Sequence, residues 1–243
     1  MSYTPNRQFE LDVAEGRIAN ASPIYIHGEC TTLYAQSDVW EGPTSTIFTS
    51  ASPCQLSIVS TSASDTSAGT GIRTLTLSYV DSSWALQTED ITMNGTSEVN
   101  TVSTTIRYVL SIQAKTVGSA GAAVGNITLI DVSDNVLSKI GIGSHISLTA
   151  FYVVPANYSL YISSFTSNAN KPTTVRLQTT EIANDNQSTV YSYKSSAYVY
   201  LNQVQEFYEP PIKVNDNTLV KVTAWGTKDT YVSTSIKGYL IAN

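Results

Sequence analysis

The sequence predicts an all-β protein: two tandem antiparallel β-sandwich units of jelly-roll type, with one large jelly roll as the alternative arrangement. Three observations predict it. Period-two alternation of apolar and hydroxyl residues recurs in both halves, turn-forming clusters interrupt it every ~8–15 residues, and no stretch of a dozen residues carries helical periodicity. The first unit is expected over residues 1–140, with an extended N-terminal arm, and the second over 141–243.

The clearest alternation is Thr74–Tyr79, which places Leu75, Leu77 and Tyr79 on one face and hydroxyl residues on the other. Leu56–Val59, Ile127–Ile130, Val175–Gln178, Tyr198–Leu201 and Leu219–Ala224 follow the same rule. Between them, Ser67–Gly71, Met93–Thr96, Asn168–Pro172, Asn184–Asn186 and Asn215–Asn217 supply residues that tolerate left-handed backbone or bond to their own main chain, which marks turns. Ser133–Ile140 is the one short helical candidate, capped by Ser133 or Asp134 and stopped by Gly141-Ile142-Gly143, and we take it as the hinge between units. Neither an internal repeat nor a heptad pattern is visible.

Charged residues make up 13% of the 243-residue chain, about half the usual ~25%, so Ser, Thr, Asn and Gln must keep the surface polar. Such a surface carries little long-range repulsion and suits dense packing against neighbouring subunits. The net charge is −6 and no two Lys or Arg residues are adjacent, so the clustered cations that neutralise phosphates are missing and nucleic acid is excluded as the main ligand. Met1–Arg7 lacks the apolar core of a secretory signal, and no stretch approaches the ~20 apolar residues of a membrane span. Either synthesis in a cytoplasm or a processed chain with a replacement Met is expected.

Two histidines, His27 and His145, and two cysteines, Cys30 and Cys54, limit the chemistry. His27 and Cys30 lack a second close ligand pair, so neither a metal nor a cofactor is expected, and the cysteines read as buried thiols or one disulfide. A hydrolytic triad needs one of the same histidines. His145, opposite in parity to Ile146 and Leu148, reads as a surface or interface side chain, and His27, after Ile24-Tyr25-Ile26, as a satisfied strand histidine. Gly118–Gly125 has neither the dinucleotide nor the phosphate-loop spacing and runs into a strand, so it reads as a flexible inter-strand loop. Glu89, Asp90, Glu181, Glu206 and Glu209 are the carboxylates from which a glycosidase pair would be drawn, and their places at a strand edge and a loop flank read as solvated charge. No catalytic residue is assigned. Sequons at Asn20, Asn94, Asn126, Asn157 and Asn186 are what a chain so rich in Ser and Thr shows by chance.

The fifteen tyrosines are the compositional excess with functional meaning. Tyr191, Tyr193, Tyr198, Tyr200, Phe207 and Tyr208 fall close together, and aromatic rings with a polar tip favour protein interfaces and stack on sugars. Cross-strand packing within a sheet is the simpler alternative. If Tyr198 and Tyr200 share a face with Gln203 or Gln205, they line a contact surface.

Phe9–Gly16 with Ser37–Gly42, then Ile58–Thr76 continuing to Thr92–Thr96, and finally Ala150–Ile162 are three stretches that can be read together. Together they resemble a family of β-rich virion proteins of tailed phages, mainly aquatic ones, and of large double-stranded DNA viruses. The resemblance spans most of the chain, and the second stretch is its most specific part. After Pro155-Ala156 the family commonly has Gly and Lys where this chain has Asn157 and Tyr158, and it often has a small residue in place of Ile72. The resemblance implies a virion structural role without catalytic residues, and a virion component made in a host cytoplasm fits the first of the two origins, cytoplasmic synthesis. Such a minor capsid, cement or decoration subunit would pack as a homo-oligomer against itself and other capsid proteins over interfaces of ~1,000 Å² or more. A receptor- or glycan-binding fibre or tail module, with host glycan as partner, is the alternative.

Overall fold

The computed structural model describes residues 9–32, 35–43, 52–181, 191–200 and 203–243. A short helix, α1 (Phe9–Ala14), precedes β1 (Ala21–Thr32), β2 (Ser37–Asp38), β3 (Ser57–Ser60), β4 (Ile72–Asp81), β5 (Leu86–Thr92), β6 (Val99–Asn100), β7 (Ile106–Val117) and β8 (Ile127–Ile130). The chain continues through β9 (Val136–Ile140), β10 (Phe151–Val153), β11 (Tyr158–Ala169), β12 (Thr173–Glu181), β13 (Ser192–Val199), β14 (Gln203–Val214), β15 (Thr218–Gly226) and β16 (Thr230–Ala242). The ladders joining them are antiparallel, so the fold is all-β. Asn184–Asn186, expected as a turn, lies outside the described residues.

The chain divides into two units. A terminal unit holds residues 1–27, 31–36 and 150–243, and an inserted unit holds 28–30 and 37–149. This division differs from a single break at residue 140, and the reason is strand pairing. The first strand, β1, lies beside the last, β16, and the Ala242 N–H donates to the Asn20 carbonyl at 2.9 Å, so the N-terminal segment belongs with the C-terminal strands.

In the terminal unit one sheet runs β1-β16-β11-β14 and the other β10-β15-β12-β13. Counted along the chain, the first sheet holds the unit's first, eighth, third and sixth strands, and the second holds its second, seventh, fourth and fifth. Period-two alternation supplies the core: Leu160, Ile162 and Phe165 on β11, Val175 and Leu177 on β12, Val220 and Val222 on β15, and Val232 and Ile236 on β16 are fully buried. Each such side chain stabilises the fold by roughly 1.5–3 kcal/mol relative to an exposed one. Asn157, where the resembling family commonly has glycine, sits in the turn before β11 with φ of 64°. Asn is the side chain that best tolerates that left-handed conformation, so the replacement keeps the turn.

The inserted unit has sheets β6-β3-β8-β9 and β5-β4-β7. Its core gathers Leu56, Ile58, Ile72, Leu75, Leu77, Met93, Ile112, Ile127, Leu129 and Ile140. Beside that core stands Asp65, fully buried. Its carboxylate accepts the Ser60 hydroxyl at 2.7 Å and the backbone N–H groups of Ile72, Gly125 and Val124 at 2.8, 2.8 and 3.1 Å. A charge of this kind is tolerable inside because each donor is aimed at it. Gly71 must be glycine, since a Cβ there would stand 2.0 Å from the Asp65 Oδ1. The glycine-rich stretch 118–125 is therefore one half of a clasp around a carboxylate: besides Val124 and Gly125, Gly118 N–H bonds to Gly71 and Ala120 N–H to Thr70. The flexible loop expected there is instead tied down by main-chain bonds.

Two hairpins of the inserted unit share one turn geometry. Asp81 and Asp131 each accept two backbone N–H groups with Oδ1, from Ser83 and Ala85 and from Ser133 and Asn135 respectively. Trp84 and Asp134 hold the left-handed position that follows, with φ of 63° and 62°. This overturns the short helix expected over Ser133–Ile140. The Asp131 side chain takes the donors that a helix cap would have needed, and Val136–Ile140 pairs with β8 as a strand. Over 145–150 only isolated bridges form, His145 and Ile146 are exposed, and Ser147 is buried, its hydroxyl accepting the Ile112 N–H at 3.2 Å.

Replacing Asp65 by Ala orphans a hydroxyl and three amides, and denaturant unfolding is expected to show a loss of about 3 kcal/mol or more. Burial pushes the Asp131 carboxyl upward, but the bonds from the Asn135 side chain and from the backbone of Asn135 and Ser133 outweigh it and hold the group below its usual range. A depressed carboxyl contributes stability above its unfolded value of ~3.9 and loses it as pH falls through the folded value. The protection of the Ser133 and Asn135 amides, measured as exchange relative to the unfolded chain at the same pH, is therefore expected to fall at acid pH in the native chain, with no such fall in Asp131→Ala.

Candidate functional site

The six aromatic residues expected to act together divide between the two sheets of the terminal unit. Tyr191, Tyr193, Tyr198 and Tyr200 lie on or beside β13, the edge strand of one sheet. Phe207 and Tyr208 lie on β14, the edge strand of the other. Tyr198 pairs across to Thr174, whereas Gln203 and Gln205 pair to Asn168 and Thr166, so the tyrosines and glutamines do not share a sheet face.

On the first sheet, a bulge in β13 opposite Leu177 and Gln178 sets the surface. Odd and even positions of a strand face opposite ways, and the extra residue, Lys194, restores Tyr193 to the face of Tyr198. Three cross-strand rows result: Tyr198, Thr174 and Trp225; Ser196, Arg176 and Thr223; Tyr193, Gln178 and Lys221. The Arg176 guanidinium carbon stands 4.6 Å from the Tyr193 ring centroid and 4.2 Å from that of Trp225, and Lys221 lies over Tyr191 at 4.7 Å. Gln178 and Gln36 both donate to the Thr223 hydroxyl, at 3.1 and 2.9 Å, which anchors the middle of the grid.

On the second sheet, bulges build a cleft. Along β11 the pairing to both neighbours shifts between Ile162 and Ser164. Ile162 pairs with Ile212 and Ser164 with Phe207, so residues 208–211 stand opposite Ser163 alone. Glu206–Pro211 was expected as a loop flank, yet it belongs to β14. Pro210 and Pro211 fall within the irregularity of an edge strand, where no ladder donor is needed. Gly238 faces the same irregularity, and a Cβ there would meet the Tyr161 carbonyl oxygen at 2.0 Å. The resulting open cleft has a volume of about 660 Å³ and is lined by Phe9, Tyr25, Phe207 and Tyr239, with Glu10, Glu209 and Lys237 among its charged residues. Tyr239 organises it, meeting Phe9 edge-on at 5.1 Å and stacking on Tyr161 at 5.3 Å. Burial, then Glu10 and Tyr161, push the Tyr239 hydroxyl upward. Tyr208 is shifted the same way by burial and by the bond it donates to Glu206 at 2.8 Å.

The remaining candidates are placed as follows. Glu89 accepts the backbone N–H groups of Val102 and Ser103, and Asp90 pairs with Lys115 and accepts the Thr76 hydroxyl. The hydrogen bonds from Lys115 and Thr76 lower the Asp90 carboxyl. Both belong to the inserted unit, whereas Glu181, Glu206 and Glu209 belong to the terminal one. His27 stacks with Tyr25 at 6.1 Å, and the His145 ring bonds the Gly121 carbonyl. Cys30 and Cys54 are not joined by a disulfide, and burial followed by the Asp38 charge pushes Cys30 up to about 12. No group of three or more metal-ligating side chains occurs among the described residues, and no helix among them is long and apolar enough to cross a membrane. Arg176 and Trp225, central to the first surface, were missed in the sequence. Their cross-strand diagonals depend on register, which periodicity alone does not contain.

Fold and surface together define an antiparallel β protein with aromatic faces at two sheet edges. No family model matches the chain, and no curated protein matches it. Among solved structures it is similar to that of infectious bursal disease virus Gt strain, at 8% identity, covering 90% of this chain and 70% of that one, with a TM-score of 0.26. A likeness of that size carries no argument about fold or function.

Phe207 is 73% exposed and lines the cleft without filling a core. Phe207→Ser is expected to leave unfolding stability within about 0.5 kcal/mol of the native chain, measured by urea titration. A larger loss would mean that the ring is structural.

Proposed function

We propose that the terminal unit is a jelly roll and that the chain is a structural component of a virus particle, a minor capsid, cement or decoration subunit. The observation that carries the reading is strand order. First beside eighth, third beside sixth, second beside seventh and fourth beside fifth is the order of an eight-stranded jelly roll, an architecture recurrent in viral capsid and lectin domains. The inserted unit then occupies the connection between the first and second strands of the roll.

Two further features support packing as the mode of action. Tyr193, Tyr198, Tyr200 and Phe207 are all more than half exposed on or beside two edge strands, and aromatic anchors dominate the energetics of protein interfaces. The chain is also poor in charge, at 13%, which lowers the desolvation cost of covering its surface. Copies repeated by symmetry with other capsid proteins give avidity that one weak contact lacks. The reading contains no catalytic step, no cofactor and no nucleic-acid partner, and it places the mature chain in the virion.

Quantitative mass spectrometry of gradient-purified particles is expected to find this chain at a fixed ratio to the major capsid protein. Tens to hundreds of copies would indicate a capsid or cement position and a handful a vertex or tail. Absence from the particle fraction would refute the proposal.

A further inference from the structure

We propose that the outer face of the β12–β13 edge binds a carboxylate-bearing sugar, with Arg176 as the group that recognises the acid. This function goes beyond packing and does not depend on where in a particle the chain sits.

The first support is the state of the guanidinium. Arg176 is clamped between the rings of Tyr193 and Trp225, at 4.6 and 4.2 Å. Among the described residues its hydrogen bonding is confined to a contact of 3.4 Å from Nε to the Ser196 hydroxyl. Among the described residues no carboxylate is paired with it. Stacking holds the planar group in place, so little side-chain freedom remains to be lost on binding. The Nη edge is left with its donors, and two parallel N–H groups match the two oxygens of a carboxylate.

The second support is local charge. The chain as a whole carries −6. The five-stranded sheet of β2, β10, β15, β12 and β13 nevertheless carries Arg176, Lys194 and Lys221 against two carboxylates, Glu181 and the buried Asp38. An acidic protein that concentrates cations on one sheet favours an anionic ligand there.

The third support selects a sugar. Tyr193 and Tyr198 are 57% and 66% exposed, and the cross-strand rows place them on the same face, flanking Ser196 and Arg176. An aromatic ring with a polar tip offers an apolar face to the C–H face of a pyranose and a hydroxyl to its rim. Ser196 and Thr174, neither of them buried, add short hydroxyl groups between the rings. This combination suits a ligand with an acid at one end and a polyhydroxylated ring beside it.

The test uses saturation-transfer NMR and calorimetry on the full chain with five probes: the α-methyl glycoside of N-acetylneuraminic acid, methyl glucuronide, the methyl ester of each, and an oligo-glutamate peptide. At least one acid is expected to bind in the millimolar range or tighter, with its ester at least about tenfold weaker. Arg176→Lys keeps the charge but loses the stacked fork, and it is expected to weaken binding about tenfold without changing the melting temperature. Tyr198→Ala, an exposed position, is expected to weaken it about fivefold. No saturable binding of either acid, equal binding of acid and ester, or unchanged affinity in both variants would overturn the proposal. Tighter binding of an oligo-glutamate peptide than of either sugar would also overturn it, by assigning the fork to a protein partner.

Discussion

The pairing of β1 with β16 is the constraint on which the terminal unit depends. Because the first strand is held beside the last, the chain between them must leave and return to the same pair of sheets. Residues 57–140 can then fold into sheets of their own without breaking the ladder order of the terminal unit. Long-range closure of this kind is entropically costly, but the cost grows only slowly with the length of chain enclosed. Burial of Val232, Ile236, Leu160, Ile162 and Phe165 on the strands that β1 closes provides the opposing gain.

Departures from regular pairing, more than regular strands, shape the surfaces. One extra residue in β13 brings Tyr193 round to the face of Tyr198. The irregularity opposite Ser163 bends β14 and opens the cleft beside Tyr239 and Phe207. Bulges are frequent where a sheet re-aims side chains for a purpose. In the inserted unit, by contrast, Asp65 and the two aspartate turns spend their hydrogen bonds on holding loops in place.

Much of the fold was legible in the sequence, for identifiable reasons. Thr74–Tyr79 and Ile127–Ile130 alternate cleanly because one face meets the core of the inserted unit and the other does not. Glu206–Pro211 misled because two prolines usually end a strand, and only the irregular pairing of an edge accommodates them. Ser133–Ile140 misled because Asp131, two residues before the supposed cap, takes its donors. The six aromatic candidates were found by composition. Their separation into two surfaces, and the placing of Arg176 between Tyr193 and Trp225, depend on register and on contacts distant in sequence.

The central claim is that the two edges of the terminal unit are contact surfaces in an assembled particle. Hydrogen–deuterium exchange of the free chain and of the same chain in intact particles tests it most directly. Peptides covering β13 and β14 are predicted to exchange more slowly in the particle, while those covering the buried β11 and β15 stay unchanged. Equal exchange of β13 and β14 in both states, or protection confined to the inserted unit, would contradict the account.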